Sequence, residues 1–244
     1  MSEHNSGVVL ILGSAPGVIQ CRDWPRAPFD TIVAINNAWA VRPDWDVLIR
    51  PEDFPADRMP PTPSARQRIV GAEAFVPAQN HHGGFVFAGG TMAFTAAYWV
   101  LHALRPRVIA FLGCDMVYET QGSTHFYGTG TADPLRDDIT LRDLGAKSAR
   151  LGVIAAQQGC ACVNLSQAVH SSLLFARATP QEVGKGINPV AGDTQKYAAL
   201  RNREAALGYD TPDGRYWEMA VDFDSLALAG IDRAWRELFG PSTI

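Results

Sequence analysis

Between Arg107 and Gly128 the chain reads RVIAFLGCDMVYETQGSTHFYG. An apolar run, Val108–Leu112, is short enough for a buried strand. It breaks at Gly113-Cys114-Asp115, and Tyr118, His125 and Tyr127 then crowd a polar, glycine-spaced loop. A carboxylate at a strand end followed by a His/Tyr-rich loop supplies a titratable base and hydroxyl donors at one place. In open α/β sheets, ligands bind in the crevice outside the carboxyl ends of the strands, so this loop is expected to be chemical and other strand ends to wall it in.

Other strands must therefore end beside it. Val8–Leu12 reads as a first buried strand, followed by the small-residue loop Gly13-Ser14-Ala15-Pro16-Gly17, where a ligand could approach the backbone and exposed N–H groups hold an anion. Thr31–Ile35 is a second, ending in Asn36-Asn37, a pair read either as amides facing a base or ribose or as turn asparagines. Asp46–Ile49 is a third, and Ile69–Val76 an edge-like fourth after an irregular proline-rich stretch, Pro55–Arg68. Gly89-Gly90-Thr91 opens a long apolar helix over Met92–Leu104, whose free N-terminal amides favour an anion. Thr140–Gln158 reads as an amphipathic helix with Leu141, Leu144, Leu151 and Ile154 on one face and Arg142, Lys147 and Arg150 elsewhere. A strand over Ala161–Leu165 follows, then a helix over Val169–Ala176 holding Ser171 and Ser172.

Strand and helix alternate from Val8 to Leu165, which predicts an α/β, Rossmann-like, doubly wound and mainly parallel sheet over residues 1–177. Residues 178–244 read as a small, mostly helical appendage, with helices at Thr194–Leu207 and Asp224–Leu238 and a turn at Thr211-Pro212-Asp213-Gly214. It is read as a lid over the site or an oligomer contact. Asp222-Phe223-Asp224 resembles a metal-binding D-x-D, but Asp224 directly precedes a helix and is more simply its N-cap. His81-His82-Gly83-Gly84 reads as an exposed loop and His102 as a core histidine, so no metal site is expected.

Composition narrows the functional classes. The 244 residues are 47% hydrophobic with a formal net charge of −4, which leaves no basic surplus for nucleic acid. The N-terminal apolar run is too short for a signal peptide, and no stretch is long enough to span a membrane. Cys21, Cys114, Cys160 and Cys162 show no C-x-x-C spacing and suit buried thiols in a reducing cytosol, with Cys160 and Cys162 expected on opposite faces of a strand.

In order and spacing, these motifs resemble the bacterial sialyltransferases of the Campylobacter type (glycosyltransferase family 42). They also resemble relatives in the DUF115 group, which includes flagellin-modifying motility accessory factors and 6-hydroxymethylpterin diphosphokinase-like proteins. The family's G-x-G-P-S-L loop corresponds to Gly13-Ser14-Ala15-Pro16-Gly17-Val18, its Asn pair to Asn36-Asn37, and its helix start to Gly89-Gly90-Thr91. Its G-x-D corresponds to Gly113-Cys114-Asp115, its H-Y-x-G to His125-Phe126-Tyr127-Gly128, and its N-S-L-L to Ser171-Ser172-Leu173-Leu174. The resemblance covers roughly residues 8–176.

The resemblance implies sugar transfer, with a nonulosonic acid among the donor sugars, from a nucleotide-activated donor to a hydroxyl acceptor; a CMP-sugar is favoured and no cofactor is needed. It implies His125 as general base, with Tyr118 and Tyr127 beside the phosphate leaving group. Asp115 and Asn36 would hold the nucleotide, with Asn37 beside them. Backbone contacts would come from Gly13, Ser14, Gly90 and Thr91, with Ala15, Gly113 and Ser172 as further binding candidates. Arg136, read from its own place beside the loop, either clamps a phosphate or carboxylate or belongs to a solvated turn. The family's catalytic histidine lies just after H-Y-x-G, where this chain has Thr129, which leaves His125 as the nearby base. Two alternatives follow from the same residues. One is a Mg-dependent diphosphokinase in which Asp137 and Asp138 hold the ion. The other is a catalytically inactive nucleotide-binding protein, consistent with Ser14, Ala15 and Thr129 replacing family residues.

Overall fold

Strands form where β-branched and apolar residues run without interruption: β1 (Val8–Leu12), β2 (Thr31–Ile35), β3 (Val47–Ile49), β4 (Arg68–Val70), β5 (Val108–Leu112) and β6 (Ala161–Asn164). The structure is a computed structural model and describes residues 7–117, 124–128, 137–190, 192–219 and 222–240. All pairings are parallel, in the order β4-β3-β2-β1-β5-β6. The strand order reverses between β1 and β5, which makes that boundary the topological switch point. Leu12 is level with both Ala34 and Leu112, so β1, β2 and β5 end side by side.

Both faces of the sheet are covered, as its continuous apolar strands require. Side chains alternate across a strand, so Val9, Ile11, Val33, Ile109 and Phe111 point to one core and Val8, Leu10, Leu12, Ile32 and Ala110 to the other. The first core is closed by helices α1 (Ala72–His81), α3 (Met92–Ala103) and α4 (Leu144–Gln157), with the one-turn helix α2 (Phe85–Ala88) between α1 and α3. The second is closed by 3-10 turns at Pro16–Asp23 and Asn36–Ala40, the indole of Trp45, and Val183 of α5 (Pro180–Lys185).

Residues beyond 190 add α6 (Thr194–Leu207) and α7 (Ser225–Phe239). Leu200, Leu228, Ile231 and Trp235 from these helices form a third core with Val86, Phe87 and Val153. Asp224 is the N-cap of α7 and accepts from the Leu226 and Ala227 amides. Thr211–Gly214 is a turn, closed by a bond from the Gly214 amide to the Thr211 carbonyl.

Several local expectations are corrected. The fourth strand stops at Val70, because Gly71 breaks it and residues 72–81 turn into α1. Residues 169–176 form no helix: Ser171 and Ser172 spend their groups on neighbouring loops, through bonds to Asn164 and Met116. Cys160 and Cys162 both pack on the first core, as residues two apart on a strand must. His82 is buried and His102 exposed, the reverse of the expected arrangement.

Lys147 and Arg150, expected on a solvent face of α4, are 1% exposed because α6 and α7 cover them. Lys147 pairs with Asp232 at 2.9 Å. Arg150 meets both oxygens of Glu204, from Nε at 2.7 Å and Nη2 at 2.8 Å.

Candidate functional site

A cavity of about 430 Å³ opens at the carboxyl ends of the strands, at the switch point. That is the size range of small-molecule sites. The turn after β1 supplies Gly13, Ser14 and Ala15, the end of β2 supplies Asn36 and Asn37, and the start of α3 supplies Gly90 and Thr91. Gly113 follows β5, and Thr124, His125 and Tyr127 complete that side.

The β1 and β5 ends touch through backbone. The Gly13 amide donates to the Leu112 carbonyl at 2.8 Å and the Ala15 amide to the Gly113 carbonyl at 3.0 Å. A Cβ on Gly13 would overlap the Gly113 carbonyl oxygen and stand 2.8 Å from the Cys114 sulfur. Gly13→Ala is therefore expected to force the two turns apart, lowering stability by about 1–3 kcal/mol, the range for overpacking a dense site. Thermal unfolding checks it, and an unshifted midpoint would show that the turns can yield.

Asn36 has a left-handed backbone, φ 51°, which asparagine tolerates better than other side chains. Its Oδ1 is closed off from solvent and has no hydrogen-bond partner among the described residues. An orphan acceptor of this kind gains about 1–3 kcal/mol when a donor reaches it.

Thr91 caps α3, its Oγ1 accepting from the Phe94 amide at 3.4 Å and donating to the Met116 sulfur at 3.2 Å. The amides of Met92 and Ala93, in the first helical turn, have no intrahelical acceptor, and both residues line the cavity. The α3 N-terminus is thus aimed at the cavity with its positive dipole end.

His125 is placed by a two-residue turn. Its amide and carbonyl both bond to Gly128, and the Phe126 amide donates to the Ser14 carbonyl at 3.0 Å. Phe126 packs against the second core, while the Tyr127 ring stacks on the imidazole at 4.9 Å between centroids. Nδ1 lies 2.9 Å from the Thr124 hydroxyl. With Nδ1 donating to that oxygen, Nε2 keeps its lone pair for a substrate proton. Burial lowers the imidazole pKa, which favours the neutral form that a general base needs.

Asp115 and Ser172 are not brought to the cavity. Asp115 is 6% exposed and points back into the sheet edge, where Oδ2 accepts from the Ser166 hydroxyl at 2.6 Å and Oδ1 faces the Asn164 amide at 3.4 Å. Arg177 stands 3.9 Å away. Ser172 donates its amide to the Asp115 carbonyl and its hydroxyl to that of Met116. Both residues brace the turn after β5 from behind. Tyr118 and Arg136 lie outside the described residues, as does Thr129.

The residues after β3 that line the cavity, Pro51, Asp53, Phe54 and Arg58, were not read as part of the site. They follow β3, so the rule that drew attention to the ends of β1, β2 and β5 would have found them. Arg58 lay in the stretch read as an irregular proline-rich loop, Pro55–Arg68. The Arg58 carbonyl accepts from the Trp39 indole at 2.9 Å, and Arg58 is the basic residue among the described lining residues other than His125. The C-terminal helices contribute no lining residue among those described; Tyr216 packs beside Thr140 behind Gly90, so the tail supports the wall from outside.

The chain was compared with protein-family models, curated proteins and solved structures, and it matches none.

Proposed function

We propose that the chain is a transferase that binds a nucleotide-activated sugar at the switch point and passes the sugar to a hydroxyl acceptor. The observation that carries this reading is the convergence of the α3 N-terminus, the Asn36 side chain and the His125 imidazole on one cavity of about 430 Å³. The amides at the start of α3 and the Arg58 guanidinium suit the phosphate, whose charge grows as the glycosidic bond breaks. The His125 Nε2 suits the acceptor hydroxyl, whose proton must leave as the new bond forms.

A cytidine nucleotide suits Asn36. Asn36 lines the cavity, and cytosine presents an amine donor beside a ring-nitrogen acceptor, an edge that a side-chain amide can pair with. Sequence resemblance to the sialyltransferases points the same way. A magnesium-dependent diphosphokinase would need several carboxylates at the phosphates. Among the described lining residues the carboxylate is Asp53, and the two readings are separated by the dependence of turnover on a divalent ion.

The test is release of CMP from CMP-sugars, with and without chelator. Turnover that survives EDTA supports the reading, whereas turnover of ATP to AMP that requires Mg²⁺ replaces it with the diphosphokinase. Asn36→Gly separates recognition from backbone, because glycine accepts the left-handed geometry without strain while losing the amide. Loss of one hydrogen bond is expected to weaken CMP binding roughly ten-fold with folding intact. Unchanged affinity would remove Asn36 from the base-reading role.

A further inference from the structure

At the C-terminal ends of α1 and α3, His81, His82 and His102 come together. Each offers a ring nitrogen, and the three nitrogens lie within 4.8 Å of one another. The ring centroids of His81 stand 4.9 Å from His82 and 4.7 Å from His102. Nothing in the cavity chemistry uses this cluster.

His82 sets it apart from a chance surface grouping. The side chain is 4% exposed, wedged against the Tyr98 ring at 5.2 Å between centroids. Its Nε2 is buried and has no hydrogen-bond partner among the described residues. A buried ring nitrogen without a partner is costly to keep, so its presence beside two further imidazoles calls for a ligand. His81 and His102 are exposed, so the group opens to solvent on one side.

The backbone favours a cation there. His81 is the last residue of α1, and His102 is the penultimate residue of α3. Two helix C-termini, with their partial negative charge, thus flank the cluster. Positive side chains also stand near: Arg105, Arg150 and Arg201. Glu204 neutralises part of this charge by pairing with both Arg150 and Arg201.

We propose that His81, His82 and His102 form a binding site for a zinc-class divalent cation, with three imidazole ligands and a fourth position open to solvent. Imidazole donors suit Zn²⁺, Co²⁺, Ni²⁺ and Cu²⁺ and exclude Mg²⁺ and Ca²⁺, which take oxygen ligands. The ion ties the C-terminus of α1 to that of α3. α1 in turn holds the chain ahead of the cavity, since Gln79 donates to the Gly89 carbonyl at 3.1 Å.

The experiment titrates Zn²⁺ and Co²⁺ into the full, untagged chain, with His81→Gln and His102→Gln as variants at exposed positions that should leave the fold intact. One equivalent is expected to bind, with the visible absorption of low-symmetry Co²⁺, and Zn²⁺ is expected to raise the melting temperature. Each variant is expected to weaken binding by about ten-fold or more and to lose most of that rise. Absence of one-equivalent binding overturns the site. So does binding by both variants as tight as by the wild type, which would mark the metal as adventitious.

Discussion

Replacing His125 with alanine is expected to lower sugar transfer by about 10²–10⁴-fold, the usual contribution of a positioned general base, while CMP still binds with nearly unchanged affinity. The separation follows from the geometry. On the proposed reading the phosphate and base would be met by α3, Arg58 and Asn36, whereas His125 stands on a turn anchored to Ser14 by backbone and to the second core by Phe126. Removing the imidazole leaves that turn in place. Acid pH should act in the same direction. Burial lowers the pKa of His125, so the base stays neutral, and active, until the pH falls below the ordinary histidine range. The acid limb of kcat/KM should therefore lie below about pH 6.5 in the wild type and vanish from any residual activity of the variant. A variant with full turnover would end the assignment of the base.

The largest expected effect on stability lies far from the cavity. Glu204→Ala is expected to cost about 3–5 kcal/mol, because it strands the Arg150 guanidinium in a dry core. Arg150 is 1% exposed and fans its donors over Glu204, the Tyr98 hydroxyl at 2.7 Å and the His82 carbonyl at 2.5 Å. Glu204 also accepts from Arg201 at 2.7 Å and from the Trp235 indole at 2.8 Å. The network therefore joins α6 and α7 to α4 and α3. Replacing both partners, Arg150→Met with Glu204→Leu, should recover most of the loss, since the pair gains little once its desolvation is counted. Urea unfolding of the three variants checks this, and a double variant as unstable as the single one would contradict it.

The pH sign is fixed by the same contacts. Burial alone would raise the Glu204 pKa, but Arg150, Arg201 and Trp235 outweigh it and hold the carboxyl below its ordinary range. The unfolded chain then takes up the proton before the native one. The stabilisation is complete above the ordinary glutamate pKa of about 4.5 and is lost as the pH falls through the lower native value.

The sheet was legible because its strands are largely apolar runs. The strand-end turns were legible for the same reason: Gly13, Asn36 and Gly113 each follow directly on such a run. Asp115 misled because its position in the chain matches a ligand-facing residue, while its direction depends on Ser166, Asn164 and Arg177, which arrive from β6 and beyond. No local pattern reports a partner some fifty positions away. Lys147 and Arg150 misled in the same way, since a charged residue on an otherwise apolar helix reads as solvent-facing until α6 and α7 bring Glu204 and Asp232. The histidine cluster was hidden by sequence distance, with His102 on the next long helix from His81 and His82.

The central claim is that the switch-point cavity is a nucleotide site, and calorimetric titration of CMP into the full chain tests it most directly. A single saturable site is predicted, present in EDTA, weakened by Asn36→Gly and unaffected by His102→Gln. No binding of CMP, or binding that Asn36→Gly leaves untouched, would contradict it.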